Sequence, residues 1–306
     1  MRKLLKNILY RNINVTEYTS VTIHKGITQK AFLEIAGSRI DVSCDQWVLC
    51  LQPVTFGIWI RNDLFNIPED KNCRLLFEEE NGKKLAEVQL SIFDKIKEGN
   101  GSLLLAKLEQ CRLFHVSSPE SLLLYNVIYR KPGFSFDRFK SYVSAFSYPR
   151  KVRLVSFRKD AYYNIFPMDF VGKIDQTNYY VFGLRHTNHA LAEIMKERKI
   201  AVSEVPFTYK KHIYQLGSHH SSQPPPLEQL PFQTIESKTF GFPVPGEAER
   251  YNEIRITQTV DLGSHMLLWG ESVYEEIKTA EQGQLYHIHF LLDLFLARNR
   301  VAYTRV

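Results

Sequence analysis

The sequence of 306 residues is poor in the features that mark specialised chains. It has four cysteines (Cys44, Cys50, Cys73 and Cys111), all in the first half and without a C-x-x-C pair, so free buried thiols are expected. Glycine and proline, with 15 and 13 residues, are too few for a collagenous or low-complexity chain. The length suits about two domains, each able to bury its own core.

Long apolar runs are also missing. The best candidate, HFLLDLFLA, is short and contains Asp293, and the N-terminal MRKLLKNILYRN is interrupted by Lys6 and Asn7. Neither a membrane span nor a signal peptide is indicated, so we expect a cytoplasmic protein without a membrane partner. The net charge of +6 is scattered, with no run of five like charges, so we expect no nucleic-acid partner. A diffuse positive field still suits small molecules that carry phosphate.

Several common catalytic motifs are absent. The sequence has no G-x-S-x-G elbow, Walker loop, G-x-G-x-x-G fingerprint or H-E-x-x-H, which disfavours hydrolases and kinases of the common designs. Three histidine pairs raise the alternative of a metal site, and they are His186 with His189, His219 with His220, and His287 with His289. No glutamate or cysteine stands at a supporting interval, so we expect no metal.

What the sequence does contain favours strands. Aromatic residues make up 13% of the chain, and from residue 18 to about 130 short segments alternate polar and apolar residues. Ala36-Gly37 and Asn81-Gly82 stand at predicted hairpin turns. The chain is therefore predicted to be mainly β, and its first half to be an antiparallel β domain.

A short helix is predicted where the first half ends. Phe136, Phe139, Val143 and Phe146 have helical spacing, and Ser135 is a suitable N-cap. A strand pattern restarts after Pro149, so we place a boundary near residue 147. Residues 1–146 then form a β-rich accessory domain of unassigned role, and residues 147–306 form a second β domain. The halves are similar in length, although no internal sequence repeat is evident.

The segment GLRHTNHALAEI is a candidate phosphate site. Thr187 or Asn188 is positioned to cap a helix, and Arg185 directly precedes that start. Unpaired N–H groups at a helix start attract anions, and an arginine adds a charge-assisted contact. The alternative is an ordinary capped helix with a solvent-exposed arginine.

Two further segments are candidates for binding a planar ring. YYNIFPMDFVG predicts a strand that bends at Pro167, with aromatic residues around Asn164; the alternative is a strand end packed into the core. DLGSHMLLWGESV predicts a turn and a strand that begins at His265. A histidine there can donate a hydrogen bond to a ring oxygen, and the alternative is a loop histidine without a ligand.

Read in order, four blocks resemble the flavin reductase-like, FMN-binding split-barrel family. They are PRKVRLVSFRKDAYYNIFPMDF, FGLRHTNHALAEIMKERKIAVS, FGFPVPGEAERYNEIRI and DLGSHMLLWGESV, which cover roughly residues 147–290. The resemblance implies a C-terminal split β-barrel with short helices. It implies that Asn164, Pro167 and Met168 line the flavin ring and that Arg185, Thr187 and Asn188 hold the FMN phosphate. It also brings His265 near the flavin as a non-obligatory catalytic residue. Asp169 stands where many relatives carry serine, and Ser264 replaces an acid.

The resemblance implies an FMN-binding flavoprotein that acts as an NAD(P)H-dependent flavin reductase, with NADH or NADPH as electron donor. The alternative is a non-catalytic split barrel that binds flavin or haem as a carrier or sensor. Family members are typically homodimers with flavin at the subunit interface, so a homodimer is expected. In the alternative assembly, a single-chain pseudo-dimer, the first half of this chain imitates the partner subunit.

Overall fold

The structure is a computed structural model that describes residues 18–23, 26–61, 72–279, 283–299 and 303–305. The N-terminal segment MRKLLKNILYRN lies outside the described residues. Strands dominate, as the sequence predicts, and their pairings are antiparallel. The strands of the first half are β1 (Tyr18–Ile23), β2 (Lys30–Ile35), β3 (Ser38–Asp41), β4 (Gln46–Leu51), β5 (Val54–Arg61), β6 (Asn72–Glu78), β7 (Lys84–Glu98) and β8 (Gly101–Leu113).

The later strands are β9 (Arg150–Lys151), β10 (Arg153–Lys159), β11 (Tyr162–Met168), β12 (Val171–Lys173), β13 (Tyr179–Arg185), β14 (Lys199–Glu204), β15 (Thr234–Glu236), β16 (Pro243–Pro245), β17 (Arg250–Asp261), β18 (His265–Ile277), β19 (Gln284–His289) and β20 (Thr304–Arg305). The α-helices are α1 (Ser118–Leu124), α2 (Phe136–Ala145), α3 (Leu191–Glu197), α4 (Lys210–Gln215) and α5 (Phe290–Arg298). A π-helical turn covers Tyr125–Tyr129, and short 3₁₀ turns cover Phe207–Tyr209, Leu216–His220 and Leu227–Gln229.

Local sequence signals account for the predicted turns and for α2. Ala36 and Gly37 have φ of 47° and 78° between β2 and β3, and Gly82 has φ of 80° between β6 and β7. Left-handed backbone of this kind is what tight hairpins require. The Ser135 hydroxyl accepts the N–H of Arg138 at 3.2 Å, which makes Ser135 the N-cap of α2. Both hairpins and the helix are therefore confirmed.

The two large sheets have the same topology. The first has the order β3-β2-β6-β7-β8-β5-β4 and the second has the order β11-β10-β14-β17-β18-β13-β12. If the seven strands of each sheet are numbered along the chain from one to seven, both orders become 2-1-5-6-7-4-3. The structure thus contains an internal repeat that the sequence does not show.

Equivalent positions in the repeat carry different residues. In the first sheet, Arg61 ends β5 and pairs with Gly101, the first residue of β8. In the second sheet, Arg185 ends β13 and pairs with His265, the first residue of β18. A Cβ atom at Gly101 would lie 2.1 Å from the indole of Trp59, so that ring occupies the space that a side chain at Gly101 would need.

The two halves share their cores. The indole rings of Trp59 and Trp269 stack with centroids 5.9 Å apart. A Cβ atom at Gly183 would lie 1.9 Å from the carbonyl oxygen of Leu49, so only glycine allows β4 to approach β13 this closely. A smaller four-stranded sheet, in the order β20-β1-β19-β9, also joins the ends of the chain because β1 pairs with β19. Both halves are therefore needed to bury the same apolar surface.

The cysteines are free. Cys50 and Cys73 are buried as expected, Cys111 is partly buried and Cys44 is exposed. Among the described residues, no helix has the length and apolar character that a membrane crossing requires.

Candidate ligand cleft

Two cavities adjoin at the end of β13. One has a volume of about 300 Å³ and the other about 330 Å³, and Arg185, Thr187 and His265 line both. We call the first, which β11 and β13 border, the barrel cavity, and the second, which α2 borders, the helix cavity; together they form the cleft. Each volume lies at the small end of the range for small-molecule sites.

The barrel cavity has an apolar wall on one side and polar residues on the other. Its walls include Phe146, Pro167, Met168, Phe170 and Leu184, all of which are buried or half-buried. Apolar and aromatic walls of this kind suit a flat heterocycle, which gains from burial and from ring contacts. This cavity therefore fits the ring end of a ligand better than a charged end.

One carboxylate, that of Asp169, also lines the barrel cavity. Its Oδ2 lies 2.8 Å from Nδ1 of His287, and Nε2 of the same ring lies 3.1 Å from the hydroxyl of Tyr214. Burial opposes ionisation of Asp169, but the hydrogen bond and charge of His287 outweigh it and hold the pKa below its usual value. The carboxylate is thus negative at neutral pH and disfavours a phosphate on this side of the cleft.

The helix cavity has the opposite character. Lys131, Arg138 and Arg185 line it, and none of its lining residues is acidic. The guanidinium of Arg138 donates to the Tyr142 hydroxyl at 3.3 and 3.1 Å and to the Gly133 carbonyl at 3.2 Å, all of which are neutral acceptors. Within the part of the chain that the structure describes, neither Lys131 nor Arg185 forms an ion pair. Three cations and no lining carboxylate make this cavity a site for an anion.

His265 stands where the cavities meet, and the first half of the chain fixes its position. The Ser264 hydroxyl lies 2.8 Å from His265 Nδ1 and accepts the N–H of Gln52 at 3.1 Å. The N–H of Ser264 in turn donates to the Gln52 carbonyl at 2.8 Å. The turn between β4 and β5 therefore holds the turn that presents His265.

His265 is neutral at physiological pH. Burial, followed by the positive charge of Arg185, lowers the pKa of His265 to about 3. Where Ser264 donates its hydroxyl hydrogen to Nδ1, the ring hydrogen is on Nε2. Nε2 has no hydrogen-bond partner among the described residues. The ring is suited to donate one hydrogen bond to a ligand and unsuited to supply a proton.

The structure brings together five of the seven residues predicted from the sequence. Pro167 and Met168 line the barrel cavity, and Arg185, Thr187 and His265 line both cavities. Asn164 and Asn188 line neither. The Asn164 side chain is fully buried and donates to the His219 carbonyl at 2.9 Å. The amide of Asn188 contacts Nδ1 of His220 at 2.9 Å, and both amides thus hold the 3₁₀ turn that ends at His220.

The predicted helix begins later than the sequence indicates. Helix α3 has seven residues and starts at Leu191, with no side-chain N-cap, so the prediction that Thr187 or Asn188 caps it is wrong. The reason is a local turn: Asn188 Oδ1 accepts the N–H of Ala190 at 2.8 Å before the helix begins. The charge at this site consequently comes from side chains and not from a helix dipole.

Four polar residues of the helix cavity were not predicted from the sequence. Lys131 lies in the loop before α2, Arg138 lies in α2, and Tyr142 lies one turn after Arg138 on the same helix. Gln52 comes from the first half, for which the sequence suggested no role. The spacing of Arg138 and Tyr142 places both on one helix face, which was the available signal, but it does not show what that face meets.

Comparison with known proteins gives partial structural matches. No protein-family model and no curated protein matches the chain. Similar solved structures include an FMN-binding protein from Thermus thermophilus, with 20% identity over 42% of this chain and 71% of that chain and a TM-score of 0.37. An NADH:FAD oxidoreductase from Streptomyces globisporus is 16% identical over 49% of this chain and 88% of that chain, with a TM-score of 0.44. Flavoredoxin from Methanosarcina acetivorans is 14% identical over 42% and 69%, with a TM-score of 0.37.

The similarity to each of these three structures covers between 42% and 49% of this chain. We therefore infer the kind of ligand that the cleft can bind from the residues that line it.

Proposed function

We propose that this protein binds FMN in the cleft and acts as an NAD(P)H-dependent flavin reductase. The observation that carries the proposal is the division of the cleft into a cavity with an apolar, aromatic wall and an adjoining cavity with three cations and no acidic residue. FMN has the matching division into a planar ring and a phosphate. Riboflavin, which lacks the phosphate, does not need the second cavity.

The residues present fit each end of FMN. Phe146, Met168 and Phe170 would contact the ring, while Arg185 and Arg138 would contact the phosphate, which stays away from Asp169. Charge-assisted hydrogen bonds from arginine to phosphate are among the stronger polar contacts in proteins. When bound, FMN supplies the hydride chemistry, and the protein orients its ring and excludes water.

His265 would position a ligand without exchanging a proton. Its pKa of about 3 keeps the ring uncharged across the physiological range, so Nε2–H can donate to a flavin carbonyl or a nicotinamide amide. The family that the sequence resembles works without an acid or base residue, and a neutral His265 agrees with that mode of catalysis. NADH and NADPH are both proposed as donors.

The duplicated sheet favours the single-chain pseudo-dimer over the homodimer. Gln52 and Ser264 join the two halves beside the cleft, so the first half supplies contacts that a partner subunit would otherwise supply. We propose that one chain builds a complete cleft. Light scattering on the purified protein should give the mass of a single chain, 35.7 kDa, and a stable dimer would contradict this assembly.

The function is tested by anaerobic titration of the purified chain. Added FMN should lose fluorescence as it binds, and NADH or NADPH should then bleach the absorbance of bound flavin. Binding without bleaching by either nucleotide would support the carrier or sensor alternative, and absence of FMN binding would refute the proposal. A red protein with a haem spectrum would show that the bound group is haem and not flavin.

A further inference from the structure

A further cavity, separate from the cleft, lies between the two halves. Asp169 is the only residue that lines both this cavity and the cleft. Its volume is about 350 Å³, and we call it the basic cavity. Lys30, the first residue of β2, and Arg153, the first residue of β10, line it from the two sides. These strands are equivalent in the internal repeat, so the basic cavity lies where corresponding parts of the two halves face each other.

The basic cavity contains more positive than negative charge. Its cations are Lys30, Arg150, Lys151, Arg153 and Lys173. Glu204 pairs with both Lys151 and Arg153 at 2.9 Å, and Glu275 pairs with Lys173 at 3.2 Å. Within the described ranges of the chain, neither Lys30 nor Arg150 forms an ion pair. Asp169 also lines the cavity, with its carboxylate bonded to His287. Three carboxylates thus accompany the five cations, which leaves an excess of two positive charges.

Arg150 is the unusual member, because it is only 4% exposed. Its guanidinium donates to the Ala145 carbonyl at 3.1 and 2.9 Å, and to the carbonyl and side-chain oxygens of Gln46 at 3.2 and 2.6 Å. These acceptors are all neutral. Burial lowers the pKa of Arg150 to about 10, which still leaves it positive at neutral pH. The charge of Asp169 opposes this lowering, but among the described residues no carboxylate forms an ion pair with Arg150. A bound anion would offset the cost of burying this charge.

Gln46 adds an independent sign of a missing partner. Its side chain is 3% exposed, its oxygen is used by Arg150, and its amide Nε2 has no hydrogen-bond partner among the described residues. An unpaired buried donor of this kind destabilises the fold until it finds an acceptor. The basic cavity thus combines a buried guanidinium without an ion pair, an unused amide donor and the ammonium group of Lys30.

We propose that the basic cavity binds a small dianionic oxyanion, held by Arg150, the Gln46 amide and Lys30. The shared chemistry is two negative charges on acceptor oxygens, which a phosphate group or a dicarboxylate provides. The site is independent of flavin, since the cleft uses other cations.

The test is thermal unfolding of the full chain in inorganic phosphate or malonate, against chloride at equal ionic strength. The Arg185→Ala variant serves as the background, so that phosphate binding in the cleft is weakened, and the variants of the basic cavity separate the two sites. At least one dianion should raise the midpoint in a saturable manner, and the one that acts at lower concentration identifies the source. Lys30→Gln should weaken this effect about tenfold, as loss of one charge-assisted contact predicts. Lys97→Gln, which removes an exposed lysine outside the cavity, should leave it unchanged.

Gln46→Glu is the sharper variant, because it puts a carboxylate beside Arg150 with almost no change in shape. It should abolish stabilisation by either dianion while leaving the protein at least as stable in chloride. If neither dianion acts saturably on the Arg185→Ala protein, the proposal fails. It also fails if Gln46→Glu and Lys30→Gln respond to the dianion as their background does.

Discussion

Arg185 has an exposed guanidinium at the junction of the two cavities and no ion pair among the described residues. Arg185→Ala should weaken FMN by about one to two decades, since a charge-assisted contact contributes roughly 1.5–3 kcal/mol. Riboflavin affinity should change little. Fluorescence titration with both ligands measures this, and Arg255→Ala, an exposed arginine on β17 outside the cleft, is the matched control. Equal losses for FMN and riboflavin would remove Arg185 from the phosphate site.

His265 gives a second test at the residue scale. His265→Ala should slow anaerobic flavin reduction by less than about 100-fold, the lower bound for losing a proton-transfer group, because the neutral ring donates one positioning hydrogen bond. Since its pKa is about 3, His265 should add no titration to the rate between pH 5 and 8. Stopped-flow bleaching at full FMN occupancy measures the effect. An unchanged rate would show that His265 only stabilises its turn.

Residue chemistry made part of the cleft predictable. Arg185 and His265 stand next to turn signals at strand ends, where a charged or polar side chain has few structural uses. Asn164 and Asn188 look equally suitable in the sequence, but their partners are His219 and His220, which lie 55 and 32 residues further along the chain. Which amide faces a cavity and which holds a distant turn depends on packing that the local sequence does not encode.

Helix α2 contributes to the cleft as an element, through its link between Arg138 and Tyr142. The Tyr142 hydroxyl accepts from Arg138 and, at 3.4 Å, from the Gln52 side chain, so it fixes both halves of the helix cavity. Tyr142→Phe should weaken FMN about threefold to tenfold, as loss of one positioning hydrogen bond predicts, with little change for riboflavin. Tyr148→Phe is the control, because it removes a buried hydroxyl bonded to Ser43 outside the cleft. If both variants weaken FMN equally, general loss of stability explains the effect.

At the scale of elements, locality separates what the sequence predicts from what it does not. The hairpins at Gly37 and Gly82 and the N-cap at Ser135 depend on residues a few positions apart, and the sequence predicts all three. The pairing of β1 with β19 joins residues more than 250 positions apart, and no local pattern specifies it. Strand order within each sheet also depends on pairings between residues far apart in the chain. For this reason the local sequence does not predict that the two sheets share one topology.

The molecule as a whole should lose stability on mild acidification. Burial lowers the pKa of His115 to about 4 and those of His265 and His289 to about 3, against an unfolded value near 6.5. Below pH 6.5 the unfolded chain therefore binds more protons, and stability falls as the pH falls toward the folded values. Burial raises the pKa of Asp45 to about 6, so the folded chain binds a proton there before the unfolded chain does. This uptake cancels the stability loss that one of the three histidines causes. The net loss should approach about 3 kcal/mol per pH unit between pH 6 and 5.

Thermal melts between pH 7 and 5 measure this loss. His115→Gln should reduce the slope of stability against pH by roughly one third to one half, because it removes one histidine that is protonated in the unfolded chain and neutral in the folded chain. His189→Gln, which changes an exposed histidine, should leave the slope as it is. A midpoint that stays constant from pH 7 to 5 would contradict the assignment of the buried histidines as neutral.

The internal repeat frees the two halves from having to be alike. In a two-fold homodimer every substitution appears twice, so a residue cannot be chosen for one site alone. In this chain Gly101 occupies the position in the first sheet that is equivalent to His265 in the second sheet. The indole of Trp59 fills the space that a side chain at Gly101 would need. We therefore expect one FMN per chain. A titration at protein concentrations far above the dissociation constant should break at one equivalent, and a break at two would show that the counterpart opens to admit a second flavin.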